Sequence, residues 1–520
     1  MQRRRVNGRG ALMMTCFYKR FPFLKTDTGL LVMVGMITAL VHILSNGGYG
    51  FHRDELDILM NAQYPAWGYV AYPPLTPFLA RLEYWAFGFS LTGLRLLPAV
   101  FQGGVVVLAG LMARDFGGNR RAQAVAAVAT AISPIAITTG TLMQYLSFDY
   151  AWWVLLSFCV VRLLRSEDRR WWLGAGAAIG LGMLTKYTMV FFIAGLAAAV
   201  LLTQTRRDLR SKWLWAGAGL SLLIALPNLI WQVQHDFISL QFLGAIHERD
   251  IAWGRTQGFL LEQLYAVANP FTLPLWAAGL LACLRGKWDG RFKLVGWWFG
   301  VTFLLLFLSR GRGYYLAPAY PMLLAAGAAW VEGWLEGQPG RTRGSIHSTQ
   351  LWVAVFGAAF GLLLLKPVLP INSALWPVAT SLSDNFVEMV GWPDLVDQVE
   401  AVVKTLPEGE LDKTVILAGN YGEAGALMFY GAGRNLPRVI GGGNSLWERG
   451  YGSPEPEIVV AVGFERSQIE RFMRSCQAAG TVSNRYGVEN EESTCHTTLF
   501  ICREPRAAWA VLWPQMRWFQ

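Results

Sequence analysis

Residues 29–46 read GLLVMVGMITALVHILSN, and His52-Arg53-Asp54-Glu55-Leu56 follows close behind. The apolar run is long enough to cross a hydrocarbon core roughly 30 Å thick. The acidic pair Asp54-Glu55 stands where the chain would leave that core. Comparable runs recur near 94–113, 122–138, 149–164, 171–186, 188–204, 213–231, 258–284, 294–309, 320–336 and 351–369. Together they predict a polytopic α-helical membrane protein with about 11 transmembrane helices. Over 520 positions, 53% hydrophobic and only 15% charged residues exclude an ordinary soluble enzyme of this size.

The net charge of +10 is spread in a way that points to topology rather than to nucleic acid. Basic residues crowd the N-terminal arm (Arg3, Arg4, Arg5, Arg9, Lys19, Arg20, Lys25). They return in every second loop: Arg114/Arg120/Arg121, Arg162/Arg165/Arg169/Arg170, Arg206/Arg207/Arg210/Lys212 and Arg285/Lys287/Arg291/Lys293. The positive-inside rule then puts residues 1–28 in the cytoplasm and, with an odd count of spans, the C-terminal segment outside. No aromatic-rich basic groove accompanies these loops, so no nucleic-acid partner is expected. Asn46-Gly47-Gly48 after the first run, in place of a small-residue cleavage site, marks a retained span rather than a removed signal peptide.

Residues 29–370 form the membrane domain, with external loops at 47–93, 139–148, 232–257 and 310–319. The first loop is long. Its stretch 75–87 spaces Leu75, Phe78, Leu79, Leu82, Trp85 and Ala86 as an amphipathic interfacial helix opened by Pro73-Pro74. Residues 371–520 have the pattern of a small extracytoplasmic α/β domain: strands at 414–418 and 457–462, helices at 394–405, 423–430 and 466–478. The turn Gly419-Asn420-Tyr421-Gly422-Glu423 is either an anion seat at a helix N-terminus or a plain glycine-rich connection. Of six cysteines (Cys16, Cys159, Cys283, Cys476, Cys495, Cys502) none has metal-ligand spacing. A bridge such as Cys476 to Cys495 is permitted outside the cell, without being assignable.

Asp54 and Glu55 suit proton abstraction from an acceptor hydroxyl or the binding of a divalent cation, although acidic residues also flank spans merely because water reaches them there. Asp149 is placed at the outer edge of the fourth span, where an ionisable group needs a partner or a wet cavity. Lys186 falls at the outer turn between the fifth and sixth spans, and Arg310 and Arg312 open the tenth. Facing the acidic residues, these cations match an anionic lipid headgroup, while snorkelling is the plainer alternative. His235-Asp236 and His247-Glu248-Arg249 fit no compact metal site.

Trp67-Gly68-Tyr69, Tyr72-Pro73-Pro74-Leu75, Leu94-Arg95-Leu96-Leu97-Pro98, Leu184-Thr185-Lys186-Tyr187-Thr188, Gly313-Tyr314-Tyr315-Leu316-Ala317-Pro318-Ala319-Tyr320-Pro321 and Gly419–Gly425 occur in one chain with the acidic pair. In that combination the sequence resembles the membrane glycosyltransferases of the C-type fold, in the bacterial branch related to protein O-mannosyltransferases and lipid A aminoarabinose transferases. The resemblance implies an inverting glycosyltransferase of the bacterial inner membrane, with its active site outside. It would move a sugar from a polyprenyl-phosphate donor to a lipid, glycan or protein acceptor in the cell envelope. Asp54 would be the general base, Glu55 and Asp149 further acidic groups of the catalytic site, and Lys186, Arg310 and Arg312 the donor-phosphate ligands. Tyr72, Tyr314 and Tyr315 would bind substrate. Relatives often carry an acid and then Lys or His before the Pro-Pro pair, where this chain has Ala71-Tyr72. A divalent cation as cofactor is therefore left open. A lipid or sugar transporter or flippase would also carry ionisable residues in its spans, but near mid-span and in related halves. A receptor binding glycan through the C-terminal domain would leave the Asp54 loop without a task.

Overall fold

The computed structural model describes residues 26–520, so most of the expected cytoplasmic arm, with its positive charges and Cys16, lies outside the described residues. Among the described residues, five helices are long and apolar enough to cross a membrane: Asp27–Ser45, Leu91–Asp115, Tyr145–Ser166, Lys212–Gln234 and Gly340–Leu364. The count rises to seven if each of two bent helix pairs is one span. Other apolar runs form helices of 12 to 17 residues, among them Arg120–Ala131 and Tyr320–Glu336. At 1.5 Å per residue these reach about 18–26 Å.

Two expected spans are broken. The run 122–138 divides into helices Arg120–Ala131 and Pro134–Thr139, because Pro134 has no N–H to continue the ladder. The run 258–284 bends by 85° between Phe259–Tyr265 and Pro270–Leu284, where Asn269 caps Phe271 N at 3.0 Å. Elsewhere the bundle closes on stacked aromatic rings. Trp153 and Trp298 each lie 4.1 Å from Phe192, centroid to centroid. The expected interfacial helix is present at Leu75–Phe87.

The C-terminal part carries a five-stranded sheet of β1 (Thr414–Ala418), β2 (Arg438–Gly441), β3 (Ile458–Val462), β4 (Met473–Thr481) and β5 (Thr498–Pro505), in the order β2-β1-β3-β5-β4. β1 runs parallel to β2 and β3, while β5 is antiparallel to both β3 and β4. Two expectations are corrected here. The helix expected at 466–478 is one short turn, Arg466–Ile469, followed by β4, whose pairing with the distant β5 overrides local pattern. The register sets Cys476 opposite Cys502, and those two form the disulfide, leaving Cys495 free.

The two parts meet where the first loop folds. His52 caps the site helix Arg53–Ala62 with a capping box that Glu55 completes. Helix Tyr421–Phe429 of the C-terminal part lies directly on it. A Cβ on Gly425 would stand 2.7 Å from Leu56 Cβ, so only glycine allows this approach. Trp392 Nε1 donates to Phe51 O (3.0 Å) and Val70 N to Ser445 Oγ (2.9 Å).

Beneath the site helix, Arg95 and Glu55 are fully buried. Arg95 Nε and Nη2 donate to Glu55 Oε1 and Oε2 at 2.9 and 2.6 Å, and its remaining donors reach Asn46 O and Gly50 O. Removing one member of a buried pair strands the other charge, at a cost of about 3–5 kcal/mol. Arg95→Met should therefore lower the apparent Tm of the detergent-solubilised protein strongly. Arg95→Met/Glu55→Gln, which keeps an acceptor without the charge, should recover a large part of the loss. Equal loss in both variants would show that the two residues do not act as a pair.

Candidate active site

The site helix positions its acidic residues by its first turn. Asp54 is 29% exposed, and its carboxylate is held from both sides. Gln144 Nε2 donates to Oδ2 at 3.0 Å, and the Tyr421 hydroxyl, from the C-terminal part, donates to Oδ1 at 2.9 Å. His52 Nδ1 accepts from Asp54 N at 3.1 Å, and its Nε2 stands 3.2 Å from Glu388 Oε2. Burial raises the Glu388 carboxyl, but the hydrogen bond and charge of His52 outweigh it and bring it below its ordinary value. Arg53 joins the same seam: its Nη1 meets Glu491 Oε2 at 2.5 Å, and its guanidinium lies over the Tyr421 ring at 4.9 Å.

Glu55, adjacent to Asp54 in sequence, points the other way. Besides Arg95 it accepts from Met143 N and from His52 N, both at 2.9 Å. With every hydrogen bond directed into protein, Glu55 positions the helix and does not face an open surface.

One turn on from Asp54, Asp57 is buried and accepts from Tyr72 Oη at 2.5 Å and Asn61 Nδ2 at 3.2 Å. Arg449 Nη2 completes the cluster through Asn61 Oδ1 at 2.7 Å. Tyr72 thus belongs to an acid and amide network, and its ring lies 5.8 Å from that of Tyr145.

Tyr145 leads to the cationic side. Lys186 Nζ lies 4.2 Å from the Tyr315 ring, 5.1 Å from Tyr145 and 5.5 Å from Tyr314, a box of aromatic faces around an ammonium. Asp149, buried one turn inside helix Tyr145–Ser166 rather than at its edge, accepts from Trp153 Nε1 (3.0 Å) and Thr188 Oγ1 (3.2 Å). Arg312 is held as a bidentate pair by Asp250, at 2.6 and 2.5 Å. Arg310 is exposed, at a backbone φ of 51°, just beyond helix Lys293–Leu308. A chain of contacts therefore leads from the site helix that carries Asp54 through Tyr72 and Tyr145 to Lys186, Tyr314, Tyr315 and Arg312. Glu55 and Asp149 are buried beside it, and Arg310 is exposed.

Sequence reading overlooked Gln144, Tyr145, Asp57, Asp250 and Glu388. Only Asp57 had a local signal, its i+3 spacing from Asp54 on one helix face. Tyr421 lay within a run already singled out, but its reach to Asp54 depends on docking. His235 stacks on Trp231 at 3.9 Å. Among the described residues no three His, Cys, Asp or Glu side chains converge as metal ligands.

Burial pushes the Asp57 carboxyl up from 3.8 to about 6, against the Tyr72 hydrogen bond and the Arg449 charge. A folded-state value above the unfolded one contributes stability at low pH that is lost as pH rises through the folded value. Between pH 5 and 8 the wild-type protein should therefore lose about 1 kcal/mol relative to Asp57→Asn, whose side chain does not titrate. Parallel melting curves of the two proteins at both pH values test this. A pH-independent difference would mean that Asp57 is already ionised at pH 5.

With the geometry in place, comparison with known proteins becomes informative. A family model described as dolichyl-phosphate-mannose-protein mannosyltransferase matches residues 71–231. Lipid A galacturonosyltransferase RgtD of Rhizobium johnstonii is 26% identical over 285 residues, 52% of this chain and 57% of that protein. Undecaprenyl phosphate-alpha-4-amino-4-deoxy-L-arabinose arabinosyl transferase 1 of Pseudomonas fluorescens is 27% identical over 330 residues, 59% of this chain and 55% of that protein. The chain thus spans little more than half the length of these relatives. Crystal structures of ArnT from Cupriavidus metallidurans superpose with TM-score 0.58 in the apo state and 0.55 bound to undecaprenyl phosphate. They are 15% and 16% identical, and the matches cover 91% and 92% of this chain and 98% of that one. That likeness establishes a shared helical fold with a small C-terminal sheet. The chain is thus similar over part of its sequence to a protein mannosyltransferase family model and to two bacterial sugar transferases, and similar in fold to ArnT.

Proposed function

We propose that this protein is an inverting glycosyltransferase that moves a sugar from a polyprenyl-phosphate donor to a lipid-borne acceptor at the outer face of a bacterial inner membrane. The observation that carries the reading is a chain of side-chain contacts with two poles. One pole is a partly exposed carboxylate, Asp54, aligned by Gln144 and Tyr421; the other is a cation, Lys186, boxed by tyrosines. Two relatives, one named for lipid A and one for an undecaprenyl phosphate sugar, support this donor and acceptor class.

In the proposed reaction Asp54 takes the proton of the acceptor hydroxyl as its oxygen attacks the anomeric carbon. The bond from that carbon to the phosphate oxygen breaks from the opposite face, and polyprenyl phosphate leaves with the bonding electron pair. Lys186 stabilises the charge that grows on the phosphate. Arg312, already paired with Asp250, contributes mainly by fixing the Gly313–Ala319 turn that carries Tyr314 and Tyr315. Glu55 and Asp149 act by holding the helices that present Asp54 and Tyr145. The bent helix pairs would also suit a transporter. Asp54 and Lys186, however, flank a run of tyrosine contacts through Tyr72, Tyr145 and Tyr315, which favours chemistry at a fixed site over passage through the bundle.

The full span count of about 11 and the outward orientation belong to the same proposal, and rest on the alternation of basic loops. A reporter active only after export should work when fused after residue 370; activity only of a cytoplasm-restricted reporter there would reverse the orientation.

Asp54→Asn keeps the side chain's shape but cannot accept the proton. Single-turnover transfer from a polyprenyl-phosphate sugar should fall by roughly 10²–10⁴-fold while donor binding survives. Glu55→Gln should act through stability instead. Undiminished transfer by a folded Asp54→Asn protein would remove Asp54 from the mechanism.

A further inference from the structure

The carboxyl ends of β1 and β3 open on a cleft of about 460 Å³ that the proposed transfer does not use. β1 lies between β2 and β3, so the chain leaves it to one side and returns to the other. In an open α/β sheet that reversal parts the loops and creates the usual ligand crevice. Here the floor is backbone. A Cβ on Gly419 would sit 2.3 Å from Gly463 O, and Gly463 takes a φ of +76°.

The chemistry of the walls selects the ligand. The amides at the start of helix Tyr421–Phe429, where an anion could sit, are filled by the chain itself. Glu423 Oε2 accepts from Gly419 N at 2.9 Å and Asn420 N at 3.1 Å, while Asn420 Oδ1 takes Glu423 N at 2.8 Å. The remaining lining sets aromatic faces (Phe464, Trp518) beside amide and carboxylate groups (Gln468, Gln515, Glu491) and the guanidinium groups of Arg471 and Arg517. Ring C–H faces against aromatics, with hydroxyls meeting amides, a carboxylate and guanidinium groups, describe a saccharide. The volume lies within the range of ordinary small-molecule sites.

We propose that this cleft is a saccharide-binding subsite, which holds a sugar unit of the acceptor next to the Asp54 centre. The binding stands on the cleft alone; its role in catalysis rests on the glycosyl-transfer reading. The connection is short. Asn420 lines the cleft, and the next residue, Tyr421, hydrogen-bonds Asp54. Glu491 lines it too and pairs with Arg53 of the site helix.

Cys495 provides the probe, being a free, exposed thiol in the cleft wall. Cys159 and Cys283 are buried, and the Cys495 peptide is followed separately by mass spectrometry. Alkylation of Cys495 in the full-length solubilised protein is timed with maltose, with N,N′-diacetylchitobiose or with inorganic phosphate, each at millimolar concentration. Either disaccharide should slow labelling several-fold and saturably, with phosphate having no effect. Trp518→Ala should abolish the protection; because that residue also packs in the domain, Gln468→Ala is the second variant and should weaken it. Protection must persist in Asp54→Asn, which separates failure of this subsite from failure of the transfer mechanism. No protection by either sugar, protection by phosphate alone, or protection unchanged in both cleft variants would overturn the proposal.

Discussion

The buried pair of Arg95 and Glu55 is the constraint on which the site rests. One guanidinium binds the carbonyl that ends the first span (Asn46), a carbonyl in the following loop (Gly50) and the carboxylate on the site helix, while itself standing at the head of the second long apolar helix. Glu55 in turn takes Met143 N, immediately before the Gln144 that orients Asp54. Because both side chains are fully buried, each donor must find its acceptor in a single arrangement. Asp54 consequently emerges in a defined direction because its neighbour in sequence is locked in the opposite one. Adjacent helical residues lie about 100° apart, so an acidic pair can divide into one structural and one reactive member.

The second dependence is on the C-terminal part. Its helix Tyr421–Phe429 approaches the site helix closely enough to exclude any side chain at Gly425, and the same contact delivers Tyr421 to Asp54. His52 with Glu388, and Arg53 with Glu491, close the seam around that point. The α/β part therefore supplies a ligand of the candidate base, and a chain lacking it would leave one Asp54 oxygen without its tyrosine.

Legibility followed the range of the interactions. Periodicity found the first span, the interfacial helix Leu75–Phe87, β1 and β3, because each is decided by its own residues. It failed where a distant partner decides. β4 is a strand only because β5 pairs with it, and that register brings Cys476 to Cys502. Ser133-Pro134 could have marked the break in the run 122–138, but a composition window averages over a single missing N–H. At the candidate site, position and motif point to Asp54, Lys186, Tyr72 and the two tyrosines after Gly313, but not to the contacts that join them. The pairing of Arg312 with Asp250 escapes a sequence reading because the partner lies on a different helix, and that of Glu55 with Arg95 because the two are distant in sequence.

The spacing of the two poles has its own physical logic. A base and a cation in direct contact would neutralise each other, leaving neither a proton acceptor nor an unshared charge for a phosphate. Here Tyr72 and Tyr145 stand between them, ring beside ring. Lys186 faces aromatic rings, which hold an ammonium without taking its protons as a carboxylate would. Asp149 is buried, and its oxygens accept from Trp153 and Thr188. The hydrogen-bonding capacity of Lys186 is thus preserved for an incoming anion. On the other side, Gln144 and Tyr421 orient the Asp54 carboxylate with neutral donors rather than with an ion. Glu55, on the same turn of helix, is instead locked to the Arg95 guanidinium, and that difference in partners separates the two acids.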